Sequence, residues 1–282
     1  MNGVDHVEDK VVIVTGAGSR TGFGSRVSAM LAARGARVVC SDVDEAALRE
    51  TVAGIAAQGG EALALKADVT SIDDMKTLAA TAVARFGRID VIVNNAGVMP
   101  LAFFADHAAA LAAWHRCIDV NFKGVLNGMV AVYDQMIAQG RGHVINLSSI
   151  YGNFPVAGAG VYGGTKAAVN VLSESLRVES RGRIKVTTVK PTGVPETGLA
   201  GGVVNRAAVV GIVGQNLSEF VQARTDFVEG RLESAATDPE QPGCLFLPAQ
   251  YIADAILHVI DQPWGVSVSE VTVRATGDHF LL

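Results

Sequence analysis

Tyr162 and Lys166 stand four apart in Tyr162-Gly-Gly-Thr-Lys166, with Ser149 thirteen residues upstream. On a helix, side chains at that spacing share a face about 5–6 Å from one another. An ammonium so placed stabilises a phenolate and is expected to lower the tyrosine's pKa from its ordinary value of about 10. A phenol tuned in this way exchanges a proton with an alcohol or ketone near neutral pH. The bare pair also fits a helix with both side chains in solvent, so the rest of the chain must decide.

A second chemical feature follows the first apolar run. Residues 10–15 lead directly into Gly16-Ala-Gly-Ser-Arg-Thr-Gly-Phe-Gly24 and then into a helical segment. Glycines between a first strand and a first helix permit a tight turn and close approach of the backbone to a pyrophosphate, which then sits on the helix N-terminus. Asp42 ends the second strand, 26 residues after Gly16. An acid there hydrogen-bonds the hydroxyls of an adenosine ribose. The competing reading, a helix N-cap, suits Asp44 better.

The elements that must position these groups are legible as an alternation. Short apolar and mostly β-branched runs at 11–15, 37–41, 62–66, 90–94, 143–148, 185–190 and 270–274 read as strands buried on both faces. Helical segments lie between them: Leu48, Val52 and Ile55 share one face, as do Ile252, Ile256 and Val259. Strands alternating with helices imply right-handed crossovers and a doubly wound α/β sheet of the Rossmann type, mostly parallel, seven-stranded and covered by helices on both faces. The 282 residues contain no linker or repeat, so the expectation is a single domain over 1–282.

Composition narrows the function classes. The net charge is −5, from 23 basic and 28 acidic residues without a basic cluster, which argues against nucleic acid or an anionic membrane as partner. Residues 1–10 lack the apolar stretch of a signal peptide, and no run of 18 apolar residues suggests a membrane span. Cys40, Cys117 and Cys244 are odd in number and far apart, and read as reduced thiols of a cytoplasmic protein. His107, His115 and His143 lack metal-ligand spacing, so no catalytic metal is expected.

Taken together, these residues resemble the short-chain dehydrogenase/reductase family over essentially the whole chain. Thr15-Gly16…Gly22-Phe-Gly24 resembles its dinucleotide loop, Asp68-Val69 its adenine contact, and Asn94-Asn-Ala-Gly97 a signature after the fourth strand. Asn121 matches its active-site asparagine, and Ser149, Tyr162 and Lys166 its catalytic triad; the family spacing selects Ser149 over Ser148. The resemblance implies cofactor contacts from Gly16, Ser19, Arg20, Gly22 and Phe23 in the loop, and from Asp42 and Val43 after the second strand. It implies others from Asp68, Val69, Asn95, Ala96 and Gly97, from Tyr162 and Lys166 themselves, and from Pro191, Val194 and Thr197 after the sixth strand. Two departures stand out. Gly16 and Gly22 are six residues apart where the family has four, with the extra residues within 19–21, and Thr197 sits one place late after Pro191.

The implied activity is hydride transfer between a nicotinamide cofactor and a secondary alcohol or ketone. Tyr162 would be the proton donor or acceptor, Ser149 would hold the substrate oxygen, and Lys166 would lower the tyrosine's pKa and hold the nicotinamide ribose. Asn121 would orient a helix break and a water that relays protons. NAD is expected because Asp42 would repel the 2′-phosphate of NADP; NADP, served by Arg20, is the alternative. Met99, Leu101, Phe103, Phe104, Tyr151 and Phe154 suggest an apolar or aromatic substrate, or simply core packing. Residues 195–247 are expected to form a lid with helices near 203–213 and 217–227, and Arg206 and Arg224 in it read as solvated surface arginines, with a substrate carboxylate as the less favoured partner. The last helix and strand are expected at a two-fold contact, giving a homodimer or homotetramer. A non-catalytic nicotinamide-binding regulator and a nucleotide-sugar epimerase or dehydratase remain as alternatives. The first should have lost Tyr162 or Lys166, and the second needs more residues after Lys190 than the chain has.

Overall fold

The computed structural model describes residues 5–281; the sequence reading of the N-terminal segment falls partly on residues 1–4, outside them. The chain begins with β1 (Val11–Thr15), α1 (Phe23–Ala33), β2 (Arg37–Asp42), α2 (Glu45–Ala57), β3 (Glu61–Lys66), α3 (Ile72–Phe86) and β4 (Val91–Asn94). It continues with α4 (His107–Ile118), α5 (Gly124–Ala138), β5 (Gly142–Leu147), α6 (Gly160–Glu179) and β6 (Ile184–Pro191). Two helices, α7 (Val210–Val213) and α8 (Leu217–Val228), precede α9 (Ala249–Ile260) and β7 (Glu270–Val273).

All seven strands pair in parallel, in the order β3-β2-β1-β4-β5-β6-β7. The order reverses between β1 and β4, and ligands of such sheets bind at that switch, beyond the carboxyl ends of the strands. Every residue of β1 and β5 is buried, as expected when helices cover both faces. Val12, Val14 and Val38 pack under α1, α2 and α9 on one face, and Ile13, Val39 and Ile92 under α3, α5 and α6 on the other.

Local chemistry fixes the helix ends. The Asp44 carboxylate accepts from Ala47 N at 3.1 Å and caps α2, and Ser71 Oγ accepts from Asp74 N at 3.2 Å at the start of α3. A buried polar chain ties three elements beneath the site. Asn94 Nδ2 donates to Asn146 Oδ1 at 2.8 Å, Asn146 Nδ2 donates to Ser173 Oγ at 2.9 Å, and Ser173 donates to Val169 O at 2.7 Å. β4, β5 and α6 thus share one satisfied network, whose interruption would strand buried donors.

Between α4 and α5 the helix widens into a π-type turn over Asp119–Lys123, the helix break expected around Asn121. One expectation is corrected. Ile252, Ile256 and Val259 are fully buried within their own chain, against α1 and the sheet, and are therefore not free for a two-fold contact. The strong apolar face of α9 is core, because it packs on α1 and covers β6 and β7 on that side of the sheet. Among the described residues no helix is long and apolar enough to cross a membrane.

Candidate active site

Tyr162 and Lys166 lie one turn apart on the inner face of α6, and both are buried. The turn that follows β5, Ile150–Gly152, packs directly on that face. Glycine makes the approach possible: a Cβ on Gly163 would lie 2.8 Å from Tyr151 O, and one on Gly152 would lie 2.8 Å from Lys166 C. This explains Gly163 inside Tyr162-Gly-Gly-Thr-Lys166 better than helix propensity, which disfavours it; the neighbouring Gly164 meets nothing within 4 Å. Tyr151 meets Tyr162 edge to face with ring centroids 5.5 Å apart.

Ser148 and Ser149 part company at the end of β5. Ser148 Oγ donates to Lys166 O at 3.1 Å, so it is committed to α6. Ser149 Oγ accepts from Tyr151 N at 3.2 Å and acts on the neighbouring Tyr162 phenol, drawing its pKa down. Lys166 Nζ donates to Leu147 O at 2.7 Å and stands 5.8 Å from the Tyr162 ring centroid.

The electrostatics differ from the expectation. Burial pushes the Tyr162 phenol up to about 12, with Ser149 pulling the other way. Burial likewise lowers Lys166 to about 8, opposed by Cys117. Desolvation disfavours the charged form of each group, and here it outweighs the expected lowering of the phenol by the ammonium. At neutral pH Tyr162 is therefore a neutral phenol, equipped to donate its proton.

Asn121 is fully buried and does not line the cleft. Its Nδ2 donates to Val98 O at 2.9 Å and its Oδ1 accepts from Val98 N at 2.9 Å, so its amide clamps the segment after β4. The same Nδ2 approaches Cys117 Sγ at 3.3 Å and Thr165 Oγ1 at 3.4 Å. It is a positioning residue that joins the π-type turn, the segment after β4 and α6.

The cleft that Tyr162 faces has a volume of about 890 Å³ and extends across the carboxyl ends of the strands. Gly16, Ser19, Gly22, Phe23, Asp42, Val43, Asp68, Val69, Asn95, Ala96, Gly97, Ser149, Tyr162, Lys166, Pro191, Val194 and Thr197 all line it. Gly16 has φ +67°, and a Cβ on it would lie 2.8 Å from Ala96 Cα, while one on Gly24 would lie 2.4 Å from Gly16 O. α1 starts after Gly22 with no side-chain cap, which leaves first-turn N–H groups for an anion. Asn95 Nδ2 locks the loop by donating to Thr15 O at 2.9 Å and Gly16 O at 3.1 Å. Asp42 Oδ2 accepts from Gly18 N at 2.8 Å and its Oδ1 from Asp44 N at 3.0 Å, which aims the carboxylate at this end of the cleft.

The lengthened loop closes on itself, with Gly22 N donating to Ser19 O at 3.1 Å. The extra residues bulge outward, and Arg20 pairs with Glu50 at 2.6 Å in solvent, outside the cleft. The structure thus does not bring Arg20 to the other expected cofactor residues. Thr197, despite its offset, lines the cleft and donates to Val194 O at 3.2 Å.

At the far end, Met99, Leu101 and Tyr151 line the cleft as the sequence suggests. Phe103, Phe104 and Phe154 do not: Phe104 is exposed against Trp114 at 5.8 Å, and Phe154 is exposed. Residues 195–247 form short helical turns with α7 and α8, and contribute Val203, Arg206, Val209, Phe220 and Arg224. Phe280, from the C-terminal tail, also lines this end and packs on Phe220 with ring centroids 5.9 Å apart. The sequence carries no local signal for it, because its place is set by backbone pairing of Leu281 N with Ile212 O at 2.9 Å. Among the described residues no group of His, Cys, Asp and Glu is arranged to hold a metal.

Comparison with known proteins gives this geometry a family. The family model described as short chain dehydrogenase matches residues 10–207. An oxidoreductase of Listeria monocytogenes is 35% identical over 279 residues, covering 96% of this chain and 98% of its own. A metagenomic short-chain oxidoreductase, solved in complex with NADP, is 29% identical over 96% of this chain and 99% of its own, with a TM-score of 0.71. A short-chain dehydrogenase/reductase of Burkholderia phymatum, solved with NAD, is 27% identical over 95% of this chain and 89% of its own, with a TM-score of 0.73. With Ser149, Tyr162 and Lys166 gathered on one cleft, the chain belongs to the short-chain dehydrogenase family.

Proposed function

We propose that this oxidoreductase moves a hydride between a nicotinamide dinucleotide and a secondary alcohol or ketone with an apolar or aromatic body. The observation that carries the reading is the buried Tyr162 phenol, facing the same cleft as Ser149 and Lys166. The glycine loop fits a pyrophosphate, since glycines at 16 and 24 let it turn tightly against Ala96 and its own backbone, where a Cβ would clash, and the amides of α1 carry no competing cap. When bound, the nicotinamide carries the hydride itself.

The chain's own residues then supply position and protons. Ser149 Oγ and the Tyr162 hydroxyl hold the substrate oxygen between them, and Tyr162 passes its proton to the oxygen of a ketone whose carbon takes up the hydride. In alcohol oxidation the same phenol must first lose a proton, which the positive Lys166 favours. Asn121 acts through position, by fixing Val98 and the wall that carries Gly97. Met99, Leu101, Tyr151, Phe220 and Phe280 give the substrate end an apolar lining, and residues 195–247 serve as its lid.

Asp42 supports NAD over NADP. A 2′-phosphate would meet its carboxylate, and like unit charges about 4 Å apart repel by roughly 1 kcal/mol in water to 4 kcal/mol at an effective dielectric of 20. Arg20, the cation that would offset this, is engaged by Glu50. For assembly, the exposed apolar side chains Leu111 and Ile118 on α4, Leu126 and Val130 on α5, and Val171 on α6 support a homodimer or homotetramer.

Three outcomes are expected. Tyr162→Phe keeps the ring and removes the proton, so turnover falls at least about 100-fold while cofactor affinity and melting temperature hold; a variant retaining a tenth of wild-type turnover would refute the assignment. Asp42→Ala shifts the ratio of kcat/KM with NAD to that with NADP toward NADP, and an unchanged ratio rules out the ribose contact. Light scattering at micromolar concentration gives a dimer or tetramer mass; a monomer mass contradicts the proposed assembly.

A further inference from the structure

Six arginines among the described residues are half-buried, and five of them, Arg26, Arg34, Arg37, Arg88 and Arg177, each engage a carboxylate. The sixth is Arg224, on α8, which makes no ion pair and no side-chain hydrogen bond among the described residues, yet lines the cleft. Another cation bears on it: Arg206, also cleft-lining and without a carboxylate partner among the described residues, acts on it repulsively. A guanidinium drawn halfway out of water beside a second one is disfavoured twice, by desolvation and by like charge. Burial and Arg206 together lower the Arg224 pKa.

The acids of the cleft do not relieve this. Asp42 is committed at the glycine-loop end, and Asp68 accepts from Thr70 N at 2.9 Å and Thr70 Oγ1 at 2.8 Å at the end of β3. Glu229 also lines the cleft but is engaged by Arg231.

We infer that the substrate carries a carboxylate or comparable anionic group on its apolar body, held by the paired guanidiniums of Arg206 and Arg224 at the lid side of the cleft. The inference rests on the oxidoreductase reading above and deepens it by naming a substrate class. Placement favours the substrate over a cofactor phosphate as the source of the anion. Ala208, two residues after Arg206, and Phe220, one turn before Arg224, pack in the same apolar cluster as Tyr151 and Tyr162. The segment bearing Arg206 is seated close on the loop after Ser149, where a Cβ on Gly158 would lie 2.5 Å from Ala208 O. The pyrophosphate cradle at Gly16–Phe23 is a separate part of the cleft wall, served by backbone amides. A planar carboxylate suits a pair of guanidinium forks, each able to donate two parallel hydrogen bonds.

The test uses the full-length protein saturated with NAD. Calorimetry measures binding of benzoate, phenylacetate, 3-phenylpropanoate and 4-phenylbutanoate, each against its neutral amide, so that the spacing from ring to carboxylate is sampled. Charge-assisted hydrogen bonds of this kind are worth about 10- to 100-fold in affinity. At least one acid should therefore bind that much more tightly than its amide. Arg224→Gln and Arg206→Gln should each erase most of the difference, Arg224→Lys should restore part of it, and the Kd for NAD should hold. Equal binding of every acid and its amide overturns the inference. So does a rise in the Kd for NAD in the variants without loss of acid preference, since the arginines would then serve a cofactor phosphate. Turnover keeps this separate from the parent reading. Neutral aryl ketones reduced by the wild type with no gain from a carboxylate would sink the anion site and leave the oxidoreductase standing. Failure to turn over any ketone or alcohol with either cofactor would count against the oxidoreductase, while the binding measurements still decide the anion site.

Discussion

Removing a phenol and an ammonium from water together raises the pKa of one and lowers that of the other, because burial disfavours each charged form. Tyr162 is pushed up to about 12 and Lys166 down to about 8, so the pair is held by protein dipoles instead of solvent. Lys166 has the Leu147 carbonyl, and Tyr162 has the Ser149 hydroxyl. Both partners come from the end of β5. The position of α6 against that strand end therefore sets the surroundings of both groups, and the rest of the architecture keeps it there.

Three features enforce that position. Gly152 and Gly163 let the turn after β5 touch α6 without a side chain between. The chain of Asn94, Asn146 and Ser173 binds β4, β5 and α6 from beneath. Asn121, inside the π-type turn, clamps Val98 and reaches Thr165, closing the third side. The parallel sheet then delivers the glycine loop, Asp42 and Asn95 to the same rim as the tyrosine, because all its strands end there.

Much of this was legible in the sequence for identifiable reasons. Strands buried on both faces leave uninterrupted apolar runs, and all seven runs begin and end within about a residue of the observed strands β1–β7. The residues of the site have special types at fixed offsets, so Ser149, Tyr162, Lys166 and the glycine loop could be read directly. What escaped depends on tertiary contact. The apolar face of α9 looks the same whether it covers the sheet or a partner, and only its packing on α1, β6 and β7 makes it core. Arg20 was ambiguous because its direction is set by Glu50, thirty residues on. Phe280 reaches the cleft through a tail that no period describes, and Arg224 reads as a surface residue until it is seen in three dimensions to line the cleft with no ion pair among the described residues.

The central claim is that the buried Tyr162 phenol is the group that gives up and takes back the substrate proton. Its most direct test is the pH dependence of kcat/KM for oxidation of a secondary alcohol and for reduction of the matching ketone, each with saturating cofactor. Oxidation needs the deprotonated phenol, whose fraction grows up to about tenfold per pH unit below its pKa, so its rate constant should climb from pH 6 through neutrality. Reduction needs the neutral phenol, which burial preserves, so it should stay level over the same range. An oxidation profile that is flat from pH 6 to 9 would contradict the account.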